Sequence, residues 1–167
     1  MKLSIIIPVF NEVDTILEIV HRVVETKLPH EIIIVDDGST DGTRELLPNL
    51  KENKIIQIII LDKNYGKGYA IRSGIKAVTG EVVIIQDADL EYDPREYPNL
   101  LQPIEEDICD IVFGSRFLGG ARRPILFWNM VANKILTFTT NILYNNILSD
   151  METGYKVFKI NVLDGVS

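Results

Sequence analysis

Residues 3–35 read LSIIIPVFNEVDTILEIVHRVVETKLPHEIIIV. Two short apolar runs rich in isoleucine and valine, 3–7 and 31–35, enclose a stretch of different rhythm. Within it Val13, Ile16, Leu17, Val20, Val23 and Val24 recur at helical spacing, so the pattern is strand, amphipathic helix, strand. The flanking runs lack polar alternation, which is expected of strands covered on both faces by helices. Asn11 is placed to cap the helix. The alternation continues outward, with strands predicted at 55–61, 81–85 and 110–113. Helices are predicted at 40–50, ended or kinked by Pro48, and at 66–78, stopping before Gly80. The chain is therefore expected to be an α/β domain with a largely parallel central sheet flanked by helices.

A length of 167 residues fits a single domain over 1–167. The 46% hydrophobic content is enough for a core without disulfides. A net charge of −7 argues against a nucleic-acid partner. The single cysteine, Cys109, excludes an intrachain disulfide framework and a multi-cysteine zinc site, and its apolar surroundings predict a core thiol. The run 3–7, closed by Pro8, is too short for a signal peptide, and no apolar stretch reaches the ~20 residues needed to span a bilayer. A cytoplasmic protein is expected, with peripheral contact at the inner face of a membrane as the further option. Residues 124–148 are apolar and aromatic, with Lys134 the one charge. They are expected to form one or two core helices. The competing reading, a helix lying on a membrane, would ordinarily bring more lysine and arginine.

Ligands of open parallel sheets bind beyond the carboxyl ends of the strands. Polar clusters fall there after three of the predicted strands: PVFNE (8–12), DDGSTDGT (36–43) and DADLEYDP (87–94). In an extended segment Asp87, Asp89 and Glu91 would project to one side. Carboxylates crowded in that way call for a cation, and hard oxygen donors suit Mg²⁺ or Mn²⁺. The competing reading is a solvated acidic loop. NYGKGYAI (64–71) lacks both standard phosphate-loop patterns and reads as a tight turn into a helix that passes near a ligand. Arg116, Arg122 and Arg123 stand out in an acidic chain, and arginine suits phosphate.

The ordered set PVFNE, DDGSTDGT, NYGKGYAI, DADLEYDP, FGSR (113–116) and DMETGYK (150–156) resembles the family 2 glycosyltransferases. It is most similar to the polyprenyl (dolichol) phosphate mannosyl- and glucosyltransferase branch. The resemblance covers nearly the whole chain and implies the GT-A fold. It implies that Pro8, Phe10, Glu12, Asp37, Gly66, Lys67 and Asp87 bind a UDP- or GDP-hexose donor. Asp87, Asp89 and Glu91 would hold the divalent cation, and Arg116, Arg122 and Arg123 would face the acceptor phosphate. Asp89, Arg116, Asp150 and Glu152 are the residues nearest the chemistry on that resemblance. Because members of the family continue beyond the counterpart of Ser167, the resemblance also implies a catalytic domain truncated at its C-terminus.

The activity so implied is metal-dependent, inverting transfer of a hexose to a polyprenyl phosphate. A lipid phosphate is already anionic and needs little help from a base, whereas a sugar hydroxyl would need one. Asp150 and Glu152 are the candidates for that base. Two alternatives stay open: a family 2 transferase acting on a sugar hydroxyl in cell-surface polysaccharide synthesis, and a donor-binding domain without turnover.

Overall fold

The computed structural model describes residues 1–115, 127–145, 147–151 and 153–163. The strands are β1 (Leu3–Val9), β2 (Glu31–Asp36), β3 (Ile56–Ile60), β4 (Val82–Ile85), β5 (Ile111–Phe113) and β6 (Lys156–Lys159). The helices are α1 (Ile16–Glu25), α2 (Thr43–Leu46), α3 (Lys67–Ile75), α4 (Tyr97–Glu105) and α5 (Phe127–Tyr144). The strands form one sheet in the order β3-β2-β1-β4-β6-β5. β3, β2, β1 and β4 run parallel, while β6 is antiparallel to both of its neighbours.

Side-chain alternation along the central strands divides the core into two layers. Ile5, Ile7, Ile32 and Ile34 pack with Ile16, Ile19, Val20 and Val23 of α1 and with Tyr97, Leu101 and Ile104 of α4. Ile6, Ile33, Val35, Val83 and Ile85 pack on the other face with Ala70 of α3. Every residue of β1 and β4 is buried, as expected of strands covered on both sides. The edge strands β3 and β5 are partly open to solvent.

Several sequence expectations need correction. The residue at the start of α1 is Thr15; Asn11 instead has a left-handed backbone (φ 57°), and its Oδ1 accepts from the Thr40 N–H. The helix expected at 40–50 is one α-turn followed by a 3₁₀ segment, Leu47–Glu52, with Pro48 in its first turn. α4 was hidden by two prolines. Pro98 sits in the first turn, where a missing N–H costs nothing, and Pro103 lies inside the helix. Cys109 is only half-buried, in the loop leading to β5, so it is not a core thiol.

Residues 127–144 form one helix rather than a core element. Its polar side is turned inward: Asn133 and Thr137 are buried. Trp128, Ile135, Phe138, Ile142, Leu143 and Tyr144 are exposed. No described helix is long and apolar enough to cross a membrane.

At the amino end of β2, Glu31 locks the sheet to the loop before β4. Its carboxylate accepts from Ser4 Oγ (2.6 Å), the Thr79 N–H (2.6 Å), Thr79 Oγ1 (3.0 Å) and the Gly80 N–H (3.2 Å). Burial opposes ionisation, but the bonds from Ser4, Thr79 and Gly80 outweigh it and lower the Glu31 pKa. A depressed carboxylate pKa contributes stability above the unfolded-state value, and that contribution is lost as pH falls through the folded-state value. Glu31→Gln is therefore expected to lower the melting temperature by ~2–4 °C at pH 7, if the lock contributes roughly 1 kcal/mol. The gap to wild type should narrow as pH is taken below ~4; a gap independent of pH in calorimetric melts would disprove the role of the ionised lock.

Candidate active site

The loops after β1, β2 and β4 and the start of α3 enclose one open cleft at the carboxyl edge of the sheet. Pro8, Phe10, Glu12, Asp37, Gly66, Lys67, Asp87 and Asp89 all line it, together with Asn64. These residues come from segments far apart in sequence. Their meeting follows from the parallel register, which brings the ends of β1 and β2 side by side, Val9 opposite Asp36.

Local chemistry fixes each loop. Asp36 is fully buried and paired with Arg44 (Nε to Oδ2, 2.8 Å), whose Nη2 also donates to the Leu61 carbonyl. Asp37 turns the other way. Its Oδ1 accepts from the Tyr65 N–H and its Oδ2 from the Gly66 N–H, both at 2.8 Å. It thereby holds the turn into α3 against the end of β2. Gly38 makes that approach possible. Its φ is +77°, and a Cβ there would stand 2.4 Å from the Lys63 carbonyl carbon. The loops after β1 and β2 are stitched by bonds from the Asn11 N–H to Ser39 Oγ and from the Glu12 N–H to Thr43 Oγ1.

Across the cleft, Lys67 Nζ lies 2.5 Å from Asp87 Oδ1. The extended geometry expected for residues 87–91 is not adopted. Leu90 has a φ of 61°, and Asp89 Oδ1 accepts from the Glu91 N–H at 2.9 Å, which folds the segment into a turn. Glu91 is exposed and does not line the cleft. Among the described residues no group of three acidic, histidine or cysteine side chains is arranged to hold a metal. Asp87 and Asp89 do both open on the cleft, and the Lys67 ammonium shows that a positive charge is accommodated at Asp87. Two carboxylates on an open cleft suit a hard cation whose other ligands are phosphate oxygens and water.

The acceptor-side candidates fare differently. Arg116, Arg122, Arg123 and Glu152 lie outside the described residues. Asp150 is buried, and its Oδ1 accepts from Asn133 Nδ2 at 2.7 Å; it does not line the cleft. The segment that follows it does reach the loop that carries Asp87. Gly154 packs so closely that a Cβ there would meet Asp87 Oδ2 at 2.4 Å and Tyr92 Cε2 at 2.5 Å. Neither this contact nor the Lys67–Asp87 pair carries a local sequence signal, because each joins segments distant along the chain.

The comparisons with known proteins bear on this arrangement. The family model described as "Glycosyl transferase family 2" matches residues 4–166, and the chain belongs to that family. Among curated proteins it is 38% identical to an undecaprenyl-phosphate 4-deoxy-4-formamido-L-arabinose transferase of Proteus mirabilis, over 99% of this chain and 51% of that protein. It is 31% identical to a dolichol-phosphate mannosyltransferase of Pyrococcus furiosus, over 99% of this chain and 48% of that one. The chain thus spans about half the length of these curated relatives. Both fall within the polyprenyl-phosphate branch to which the sequence motifs pointed.

Among solved structures, glucosyl-3-phosphoglycerate synthase of Mycobacterium tuberculosis, with Mn²⁺, UDP and phosphoglyceric acid, superposes with a TM-score of 0.75 at 19% identity. That match covers 97% of this chain and 57% of the other. A Pyrobaculum calidifontis mannosyltransferase with GDP-Man and Mn²⁺ gives 0.71 at 22% identity, over 99% and 46%. The fold is GT-A, as the motifs implied.

Asp37→Asn tests the cleft's architecture. An amide supplies one acceptor and one donor where two N–H groups are both accepted; the Gly66 N–H keeps Asn64 Oδ1 at 2.9 Å, so one bond of the pair is lost. The expected result is a melting temperature lower by ~2–4 °C, from loss of a hydrogen bond contributing roughly 1 kcal/mol. An unchanged melt in circular dichroism would show that these bonds do not hold the turn.

Proposed function

We propose that this chain is the catalytic domain of an inverting glycosyltransferase that moves a hexose from a UDP- or GDP-sugar to a polyprenyl phosphate. The observation that carries this reading is the cleft. It gathers an acidic pair, a lysine and the turn into α3 at the carboxyl edge of a parallel sheet. The acceptor class is supported by the two curated relatives named for undecaprenyl and dolichol phosphate. Requirement for a divalent cation is supported by the Mn²⁺ and nucleotide in the structural neighbours.

In this mechanism Pro8, Phe10, Glu12 and Asp37 flank the nucleoside, with Asp37 acting through the 64–66 turn that it anchors. Asp87 and Asp89 hold the cation, Mg²⁺ or Mn²⁺, which when bound supplies positive charge to the diphosphate. Lys67, on a flexible stem, exchanges its Asp87 contact for a diphosphate oxygen as donor enters. An acceptor phosphate oxygen forms a bond to the anomeric carbon as the bond from that carbon to the diphosphate breaks. The electron pair leaves with the diphosphate, and configuration inverts. The acceptor oxygen is anionic beforehand, so the protein's task is placement and charge. Arg116, Arg122 and Arg123 are proposed to face the acceptor phosphate. Asp150, buried against Asn133, lends no support to the reading in which a carboxylate activates a sugar hydroxyl.

A lipid acceptor brings the domain to a bilayer, and the outward apolar face of α5 is the surface we assign to it. The expected outcome is co-sedimentation with neutral phosphatidylcholine vesicles that is lost in Phe138→Asp/Leu143→Asp. Equal sedimentation of the double variant would rule this face out.

A ligand that binds the folded state raises its stability. Thermal melts with UDP, GDP and their hexose conjugates are expected to show an Mn²⁺-dependent rise for one nucleotide. Asp89→Asn should remove the Mn²⁺-dependent part while melting like wild type without ligand. No rise with any nucleotide would overturn the donor reading, and an unaltered rise in the variant would overturn the role of Asp89.

A further inference from the structure

The residue before the acidic pair, Gln86, is fully buried just beyond β4, a rare setting for an amide side chain. Its backbone N–H donates to the Ile6 carbonyl at 2.9 Å, extending the ladder with β1. Its side chain joins three separate segments. Nε2 donates to the carbonyls of Asp87 (3.0 Å) and Tyr92 (3.4 Å). Oε1 accepts from the hydroxyls of Tyr97 in α4 (2.7 Å) and Tyr155 before β6 (3.0 Å). Carbonyl oxygens only accept, so the nitrogen must face Asp87 and Tyr92, and both tyrosines must then donate. Burial raises the pKa of both phenols, so they keep those protons.

The rings close the arrangement. Tyr92 and Tyr155 lie 4.7 Å apart between centroids, Tyr97 and Tyr155 5.9 Å. The Gly154 N–H donates to the Tyr92 hydroxyl at 2.6 Å. One end of the amide therefore fixes the turn that carries Asp87 and Asp89. The other end fixes the segment through Gly154 that packs on Asp87.

We propose that Gln86 is a positioning residue that ties the Asp87–Asp89 turn to the 153–155 segment, so that the donor and acceptor sides of the cleft keep one spacing. The functional consequence rests on the donor-site reading above; the tie itself does not.

Gln86→Glu separates the two ends. A carboxyl of the same size still accepts from both tyrosines but, protonated as burial demands, donates to at most one of the two carbonyls. Tyr155→Phe removes only the link to the 153–155 segment. In hydrogen-exchange mass spectrometry, Gln86→Glu is expected to speed exchange in peptides covering 87–93, and Gln86→Met, which loses both ends, in peptides covering 87–93 and 153–155, by ~10-fold for loss of about one net hydrogen bond each. Peptides from β1 to β3 should be unchanged, and Tyr155→Phe should affect 153–155 alone. If Gln86→Glu does not fold, Gln86→Met, which buries no charge and loses both ends, carries the measurement at both segments.

Exchange in Gln86→Met that rises uniformly across the sheet, or stays unchanged in either segment, would overturn the tie. Titration of Mn²⁺ by electron paramagnetic resonance in the presence of UDP and of GDP reads the consequence. Removing a group that orients metal ligands should weaken Mn²⁺–nucleotide binding ~10-fold, whereas a residue that only stabilises the fold would leave the affinity of the folded fraction unchanged. Wild-type protein that binds neither nucleotide would refute the donor reading, and the exchange pattern would still decide the tie.

Discussion

Carboxylates crowd the carboxyl edge of this sheet, and each must be held by a partner of opposite polarity. Asp36 is met inside the protein by Arg44, Asp37 by two backbone N–H groups, and Asp87 at the cleft by the Lys67 ammonium. An unpaired buried carboxylate would cost several kcal/mol or give up its charge. The partners are therefore not incidental. They determine where the turn into α3 lies and which acidic oxygens face the cleft. Neutralisation inside leaves the negative charge concentrated where a cation and a diphosphate are proposed to bind.

The parallel half of the fold was legible because its signals are local. Ile5, Ile6 and Ile7 read as a strand buried on both faces, and the structure places their side chains in opposite core layers. The spacing of Ile16, Val20 and Val23 gave α1 its inner face directly. The cleft-lining residues were legible for the same reason, since strand ends in a parallel sheet converge by geometry alone. Legibility failed where a residue answers to a distant partner. Glu91 looked like a third ligand under strand geometry, but the left-handed Leu90 and the bond from the Glu91 N–H to Asp89 bend the chain away.

The helix α5 shows the limit of reading polarity as burial. Its apolar residues suggested a core element, yet two of its polar ones, Asn133 and Thr137, form the inward side. Asn133 and Thr137 bond to each other, Asn133 to Asp150, and the Met151 N–H to Thr137 Oγ1. Satisfying a buried carboxylate and backbone N–H takes precedence over hiding apolar surface. Nothing in the spacing of 127–144 distinguishes these cases, because the partner segment, 148–151, is recognisable only once folded against it.

The placement of the 153–155 segment depends on the reversal of β6 in the sheet. β6 inserts antiparallel between β4 and β5, so the segment that enters it approaches from the carboxyl edge, where β4 ends. Ile85 of β4 lies opposite Lys156 of β6, which sets Gln86 and Tyr155 side by side. A further parallel strand in that place would have carried its entering segment to the opposite edge, away from Asp87. The antiparallel choice is what allows Gly154 to rest on the Asp87 carboxylate and Thr153 to bond the Gly114 carbonyl after β5. Four residues, KVFK, with no strong strand signature of their own, thus determine whether the 153–155 segment meets Asp87.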